Sequence, residues 1–165
     1  MHRRHLLLAL FALAILGACS SAGKPQELGV LEVVGDVPNP VRFTTEEFSK
    51  LPHTKVTMQV EGQVEEVEGV PMAEVLRIAG APFGEALKGP NLTLCVVAEG
   101  LDGSEVLFSL TELDPELYGA RVMIIDRRNG QELPPGEWPF RVIVQDEKRH
   151  GRWVRGVVRL IVTRI

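Results

Sequence analysis

Eight short runs of β-branched and apolar residues, separated by glycine, proline and asparagine turn signals, limit this chain to a strand-built domain. They fall near Val30 to Val34, Lys55 to Val60, Val64 to Glu68, Leu92 to Ala98, Glu105 to Phe108, Arg121 to Asp126, Arg141 to Val144 and Trp153 to Val162. Only brief helical patterns interrupt them. Thr44 with Glu47 forms a capping box for a helix through Lys50, stopped by Pro52. Pro71 opens a second helix that places Met72, Val75, Leu76 and Ala79 on one face and ends at Gly80. Ser109 and Glu112 start a third, and Asn129-Gly130 marks a tight turn after the Arg121 to Asp126 run. The pattern predicts a compact, β-rich α+β domain from 28 to 165.

The segment before it has a different character. Arg3 and Arg4 lead into the apolar run Leu6 to Leu16, which ends in Leu16-Gly17-Ala18-Cys19. That run is too short to span a bilayer, and a charged start with small residues before the cut describes a cleaved signal peptide. The triplet before the cysteine resembles the lipobox of bacterial lipoproteins. The resemblance implies a signal peptide over 1–18, lipidation of Cys19, and a polar tether over 19–27 that anchors the domain to the cell envelope. Ser20 after the cysteine resembles the outer-membrane-sorted lipoproteins, so the expected location is the extracytoplasmic face, with the outer membrane as one destination.

The chain carries 18 Lys and Arg against 22 Asp and Glu, and loss of Arg3 and Arg4 makes the balance more acidic. That argues against a nucleic-acid partner. Cys95 is the second of two cysteines and sits in the apolar run Leu92 to Val97, so it reads as a buried small hydrophobe. After the leader only His53 and His150 remain, without the spacing of a zinc site, and no nucleophile-elbow motif is present.

The cations are concentrated at the C-terminal end. Arg141, Lys148, Arg149, Arg152, Arg155, Arg159 and Arg164 fall where Asp146 and Glu147 are the acids. Strict alternation along the last strand puts Trp153, Arg155, Val157, Arg159 and Ile161 on one face. Val154, Val158, Leu160 and Val162 then form the core face. An indole beside guanidinium groups suits a planar heterocycle held by stacking and forked donors, although a solvated face covered by arginine stems fits the same composition. Gly156 can break this alternation with a bulge.

The order of landmarks resembles a known family. Leu31 to Val37, Phe43-Thr44, Leu51-Pro52, Glu68-Gly69-Val70-Pro71-Met72, Asp102-Gly103, Phe108-Ser109-Leu110, Asp126 to Gly130, Pro139-Phe140-Arg141 and Arg152-Trp153-Val154 are similar to the molybdopterin-binding domain of the sulfite oxidase family. The resemblance covers the chain from Leu28 to its end. It implies a sulfite oxidase-like fold with mixed sheets, short helices and a pterin cleft, held in part by Arg141 and Arg152.

The departures bear on function. In catalytic members a cysteine thiolate binds molybdenum from the strand before the Gly-Val-Pro segment, close to Gln59 here, and an amide is a poor substitute for a soft anionic sulfur. Asp102-Gly103-Ser104 lacks the tyrosine of many relatives, and Trp138 stands where a small residue is common. The resemblance, so qualified, implies a non-catalytic pterin-binding protein that regulates a membrane-bound cyclic-di-GMP enzyme. In that reading Trp138 and Trp153 stack on the ligand, while Arg141, Arg152, Lys148 and Arg155 donate to it. Asp102 or Asp126 accepts from the pyrimidine amine. The alternatives are a molybdenum cofactor-dependent oxidoreductase, with the cofactor phosphate on Lys148, Arg149, Arg152 and Arg155, and an interaction module without a small ligand.

Overall fold

The computed structural model describes residues 27–165, so the signal segment, Cys19 and most of the tether lie outside the described residues. Two five-stranded sheets enclose one hydrophobic core. The first has the order β2-β1-β10-β5-β6, from β1 (Val30–Gly35), β2 (Val41–Thr44), β5 (Leu94–Gly100), β6 (Glu105–Ser109) and β10 (Val157–Arg164). Its β1 and β10 run parallel and its other pairs antiparallel, which makes it a mixed sheet. The second is antiparallel: β3 (Thr54–Val60) pairs with β4 (Gln63–Pro71), and β4 with β7 (Val122–Arg128). The other edge of β7 takes β9 (Arg141–Val144) along its first half and β8 (Gln131–Glu132) at its end. The domain is therefore α+β and rich in strand, as its pattern of short runs requires.

The short helices start at their sequence signals, although the first ends at Phe48 rather than Lys50. Thr44 caps α1 (Thr45–Phe48): its hydroxyl accepts from the Glu47 amide at 3.2 Å, and Glu47 accepts from the Thr44 amide at 2.9 Å. Helix α2 (Met72–Ile78) buries Met72, Val75 and Leu76, and Ala79 follows them into the core. Burial of each such aliphatic side chain is worth about 1.5–3 kcal/mol, so this face holds the helix although nothing caps its start. Helix α3 (Leu110–Leu113) is capped by Ser109. Gly69 sits at a bulge between β4 and β7, where a Cβ would lie 2.1 Å from the Ile124 carbonyl oxygen.

Two strands escaped the sequence reading. β2 has only Phe43 buried and is defined by pairing with β1, and β8 is two residues long. The last strand needs a correction, because it begins at Val157 rather than Trp153. Gly156 takes φ +56°, outside the extended region, and a register shift follows between Val157 and Arg159. Val157 and Val158 are consequently both buried, and the alternation holds only from Val158 onward. Trp153 to Gly156 instead run beside β9, with Val142 N donating to Val154 O at 2.8 Å.

Candidate functional site

Arg141, the first residue of β9, is a buried cation. Its Nη1 lies 2.7 Å from Glu137 Oε1, four residues earlier in the chain, and Glu137 is buried as well. Glu137 also faces Arg128 at 3.4 Å, and Arg128 pairs with Glu65 at 3.2 Å, which ties the loop before β9 to β4 and β7. The Arg141 guanidinium carbon lies 5.0 Å from the centroid of the Trp153 ring. The indole Nε1 donates to the Val144 carbonyl at 3.2 Å, which fixes the ring in place. Two buried atoms of this arrangement, Arg141 Nε and Glu137 Oε2, have no hydrogen-bond partner among the described residues.

Arg141 and Trp153 form the floor of a cleft of about 340 Å³ whose rim carries Glu61, Asp102, Ser104, His150 and Arg155. Arg155 is exposed and donates to Glu61 Oε1 at 2.7 Å, and Arg141 Nη2 lies 3.5 Å from the same oxygen. Both arginines hold the Glu61 carboxyl below its ordinary range, with the Arg155 hydrogen bond as the main cause. Asp102 accepts from the Ser104 amide at 2.9 Å, and its carboxyl is lowered by bonds to Ser104 and by the more distant charge of Arg155. His150 stacks on Trp153, with centroids 3.7 Å apart and planes 16° from parallel. Of the residues singled out by sequence, Asp102, Arg141, Trp153 and Arg155 meet in this cleft.

The remaining candidates lie elsewhere. Trp138 lines a second cleft of about 270 Å³ together with Asp126, Arg127, Glu132 and Ser49. Asp126 Oδ1 lies 3.1 Å from His53 Nε2, whose Nδ1 faces the Leu51 carbonyl at 2.6 Å. Burial pushes the Asp126 carboxyl up, and the nearby His53 partly offsets it. Arg152 is placed beside α3: its Nη1 donates to Glu112 at 2.7 Å, its Nε pairs with Glu147, and its guanidinium lies 4.9 Å from the centroid of Phe108. Lys148 is exposed on the loop after β9 and lines none of these clefts.

Glu61 and His150 line this cleft and Glu137 supports its floor without a local sequence signal that marks them as site residues. Glu61-Gly62 is visible as a turn between two runs, but nothing local places its carboxylate on arginines that lie 80 and 94 positions later, and Glu137 carries no signal at all. Four of the C-terminal cations likewise meet acids from remote segments. Arg159 meets Glu32 and Glu99, Arg164 meets Asp36, Arg155 meets Glu61 and Arg152 meets Glu112.

The donors in the main cleft do not fit a protein-ligated molybdenum. Its acids Glu61 and Asp102 are hard oxygen donors, and among the described residues no thiol lines it. Cys95 is on β5, buried, its Sγ directed at the Thr163 carbonyl at 3.6 Å, and burial pushes its thiol up. Gln59, near the expected ligand position, is exposed on β3. The indole, guanidinium and carboxylate groups fit the organic part of such a cofactor instead.

No protein-family profile matches this chain, and no curated protein does. Among solved structures, the crystal structure of the sulfane dehydrogenase SoxCD from Paracoccus pantotrophus is similar, at 25% sequence identity with a TM-score of 0.59. The match covers 81% of this chain and 37% of that one, so this chain spans little more than a third of its neighbour. The mixed sheet, the paired second sheet and this likeness agree with the ordered landmarks in the sequence. The domain is a member of the superfamily built on the sulfite oxidase-like molybdopterin fold.

Proposed function

We propose that this protein is an envelope lipoprotein, anchored through Cys19, whose domain binds a pterin without catalysing a reaction on it, and that binding regulates a membrane-bound signalling enzyme. The observation that carries this reading is the buried Arg141 guanidinium over the Trp153 indole, with its Nε unpartnered among the described residues, at the floor of a cleft. A flat heterocycle stacks on an indole face, forked guanidinium donors suit a ring carbonyl, and an ionised Asp102 suits an exocyclic amine. Arg155 supplies a second donor at the rim. Trp138 and Asp126 offer an indole and a carboxylate in the second cleft, and Arg152 and Lys148 lie outside both.

The lack of a thiolate in the cleft favours binding over metal chemistry, because nothing in its lining replaces a soft anionic ligand. The second reading, a molybdenum cofactor-dependent oxidoreductase, draws support from the likeness to a sulfane dehydrogenase. A shared fold does not carry an activity with it. The deciding experiment is to export the full chain to a periplasm, purify it in detergent, and analyse it for released pterin fluorescence and elemental molybdenum. Pterin without metal is the expected result. Stoichiometric molybdenum overturns it in favour of the oxidoreductase, and neither group leaves an interaction module without a small ligand.

A further inference from the structure

Two side chains of the protein itself cover the Arg141 and Trp153 floor of this cleft. One is Glu61, at the tip of the two-residue turn between β3 and β4, where Glu61 and Gly62 take φ +52° and +89°. Such a turn matches the twist of its strands but is an uncommon place for a glutamate. Its carboxylate rests on Arg155 and faces Arg141, as an anionic group of a ligand would. A Cβ at Gly62 would meet nothing within 4 Å, so the Gly62 side of the turn is open. The other is His150, an exposed residue followed by Gly151, whose ring lies nearly parallel on Trp153 at 3.7 Å. Among the described residues neither of its ring nitrogens has a hydrogen-bond partner, so stacking is what positions it.

We infer that Glu61 and His150 are displaceable stand-ins: the cleft takes a planar heteroaromatic ring carrying a carboxylate or phosphate, with the ring replacing His150 on Trp153 and the anion replacing Glu61 on Arg155 and Arg141. The inference rests on the pterin reading for the ring and deepens it by requiring an anionic substituent. The physical basis is that both occupants are held weakly. An exposed ion pair is screened by water, and a lone exposed imidazole stack restrains a flexible loop for little return. The floor, in contrast, is rigid, since Trp153 is tied to Val144 and Arg141 to Glu137. Displacement moves the β3–β4 hairpin tip and the loop carrying His150, so bound and empty forms present different surfaces to a partner.

The test is calorimetric titration of the full chain and of Glu61→Gln, His150→Ala and Glu61→Gln/Arg155→Gln with pterin, pterin-6-carboxylate and inorganic phosphate, with thermal unfolding to verify the fold. Glu61→Gln is expected to bind pterin-6-carboxylate and phosphate about tenfold more tightly, with little change for pterin, and Arg155→Gln is expected to cancel that gain. His150→Ala is expected to tighten both pterins about tenfold and to leave phosphate unchanged. If the parent chain binds pterins and no variant gains affinity, the stand-in inference is overturned and the pterin reading survives. If Glu61→Gln gains phosphate while no pterin binds any form, the anion site stands and the pterin reading fails. Binding of none of the three probes overturns both.

Discussion

Glu137 reaches Arg141 across four residues at 2.7 Å, and both side chains are buried, so the charge that holds the cleft floor is paired inside the protein. Breaking a buried pair from one side leaves the other charge uncompensated. Glu137→Ala should therefore destabilise the domain by about 3–5 kcal/mol, measured by urea unfolding, whereas replacement of the exposed Glu61 should cost far less.

Stability should fall on the acid side. The carboxyls of Glu46, Glu47, Glu61, Asp102 and Asp146 are all held below their ordinary values by hydrogen bonds and cations. A group whose folded pKa is depressed stabilises the fold above its unfolded pKa and loses that contribution as pH falls through the folded one. The loss should thus set in below the reference values of 4.5 for glutamate and 3.8 for aspartate. Asp126, raised by burial, works in the opposite sense. Carboxyl NMR titration should show Glu61 returning toward 4.5 in Arg155→Gln, and an unchanged Glu61 would remove Arg155 as the cause.

The bulge at Gly69 tolerates no side chain. A Cβ there would approach the Ile124 carbonyl oxygen to 2.1 Å, and backbone rather than a flexible side chain would have to yield. Gly69→Ala should cost about 3 kcal/mol or reduce soluble yield, as measured by denaturant midpoint. Gly62→Ala, with open space but a positive φ of 89°, should cost less, on the order of 1 kcal/mol.

Cys95 should be silent in the native protein. It is buried on β5 and its thiol is raised by desolvation, so little thiolate is present at neutral pH. A maleimide reagent should label Cys95 only after denaturation, and rapid native labelling would contradict its placement.

The anchor is testable apart from the fold. Cys19→Ser should abolish incorporation of labelled fatty acid and release the protein from membranes into the soluble envelope fraction. Retention of the substituted chain in the membrane fraction would sink the lipoprotein proposal.

What the sequence alone determined was the local grammar. The capping box at Thr44 and Glu47, the buried face of α2 and the positive φ of Asn129 and Gly130 follow from residues within a turn of one another. Eight strand runs were legible for the same reason, since period-2 patterns are short-ranged. The start of β10 was not, because Gly156 could either continue the strand or break it, and only pairing with β5 and the approach of Phe140 to Val157 decided. The site was half legible. Asp102, Arg141, Trp153 and Arg155 come together, but Trp138, Lys148 and Arg152 are placed elsewhere, because direction at the site depends on which sheet edge each loop crosses. The C-terminal cations look unbalanced along the chain, and three of them, Arg155, Arg159 and Arg164, are balanced in space: Glu61, Glu99, Glu32 and Asp36 reach them across long sequence separations. Charge pairing acts through distance in three dimensions, so tertiary structure alone paired Arg152, Arg155, Arg159 and Arg164 with their remote acids.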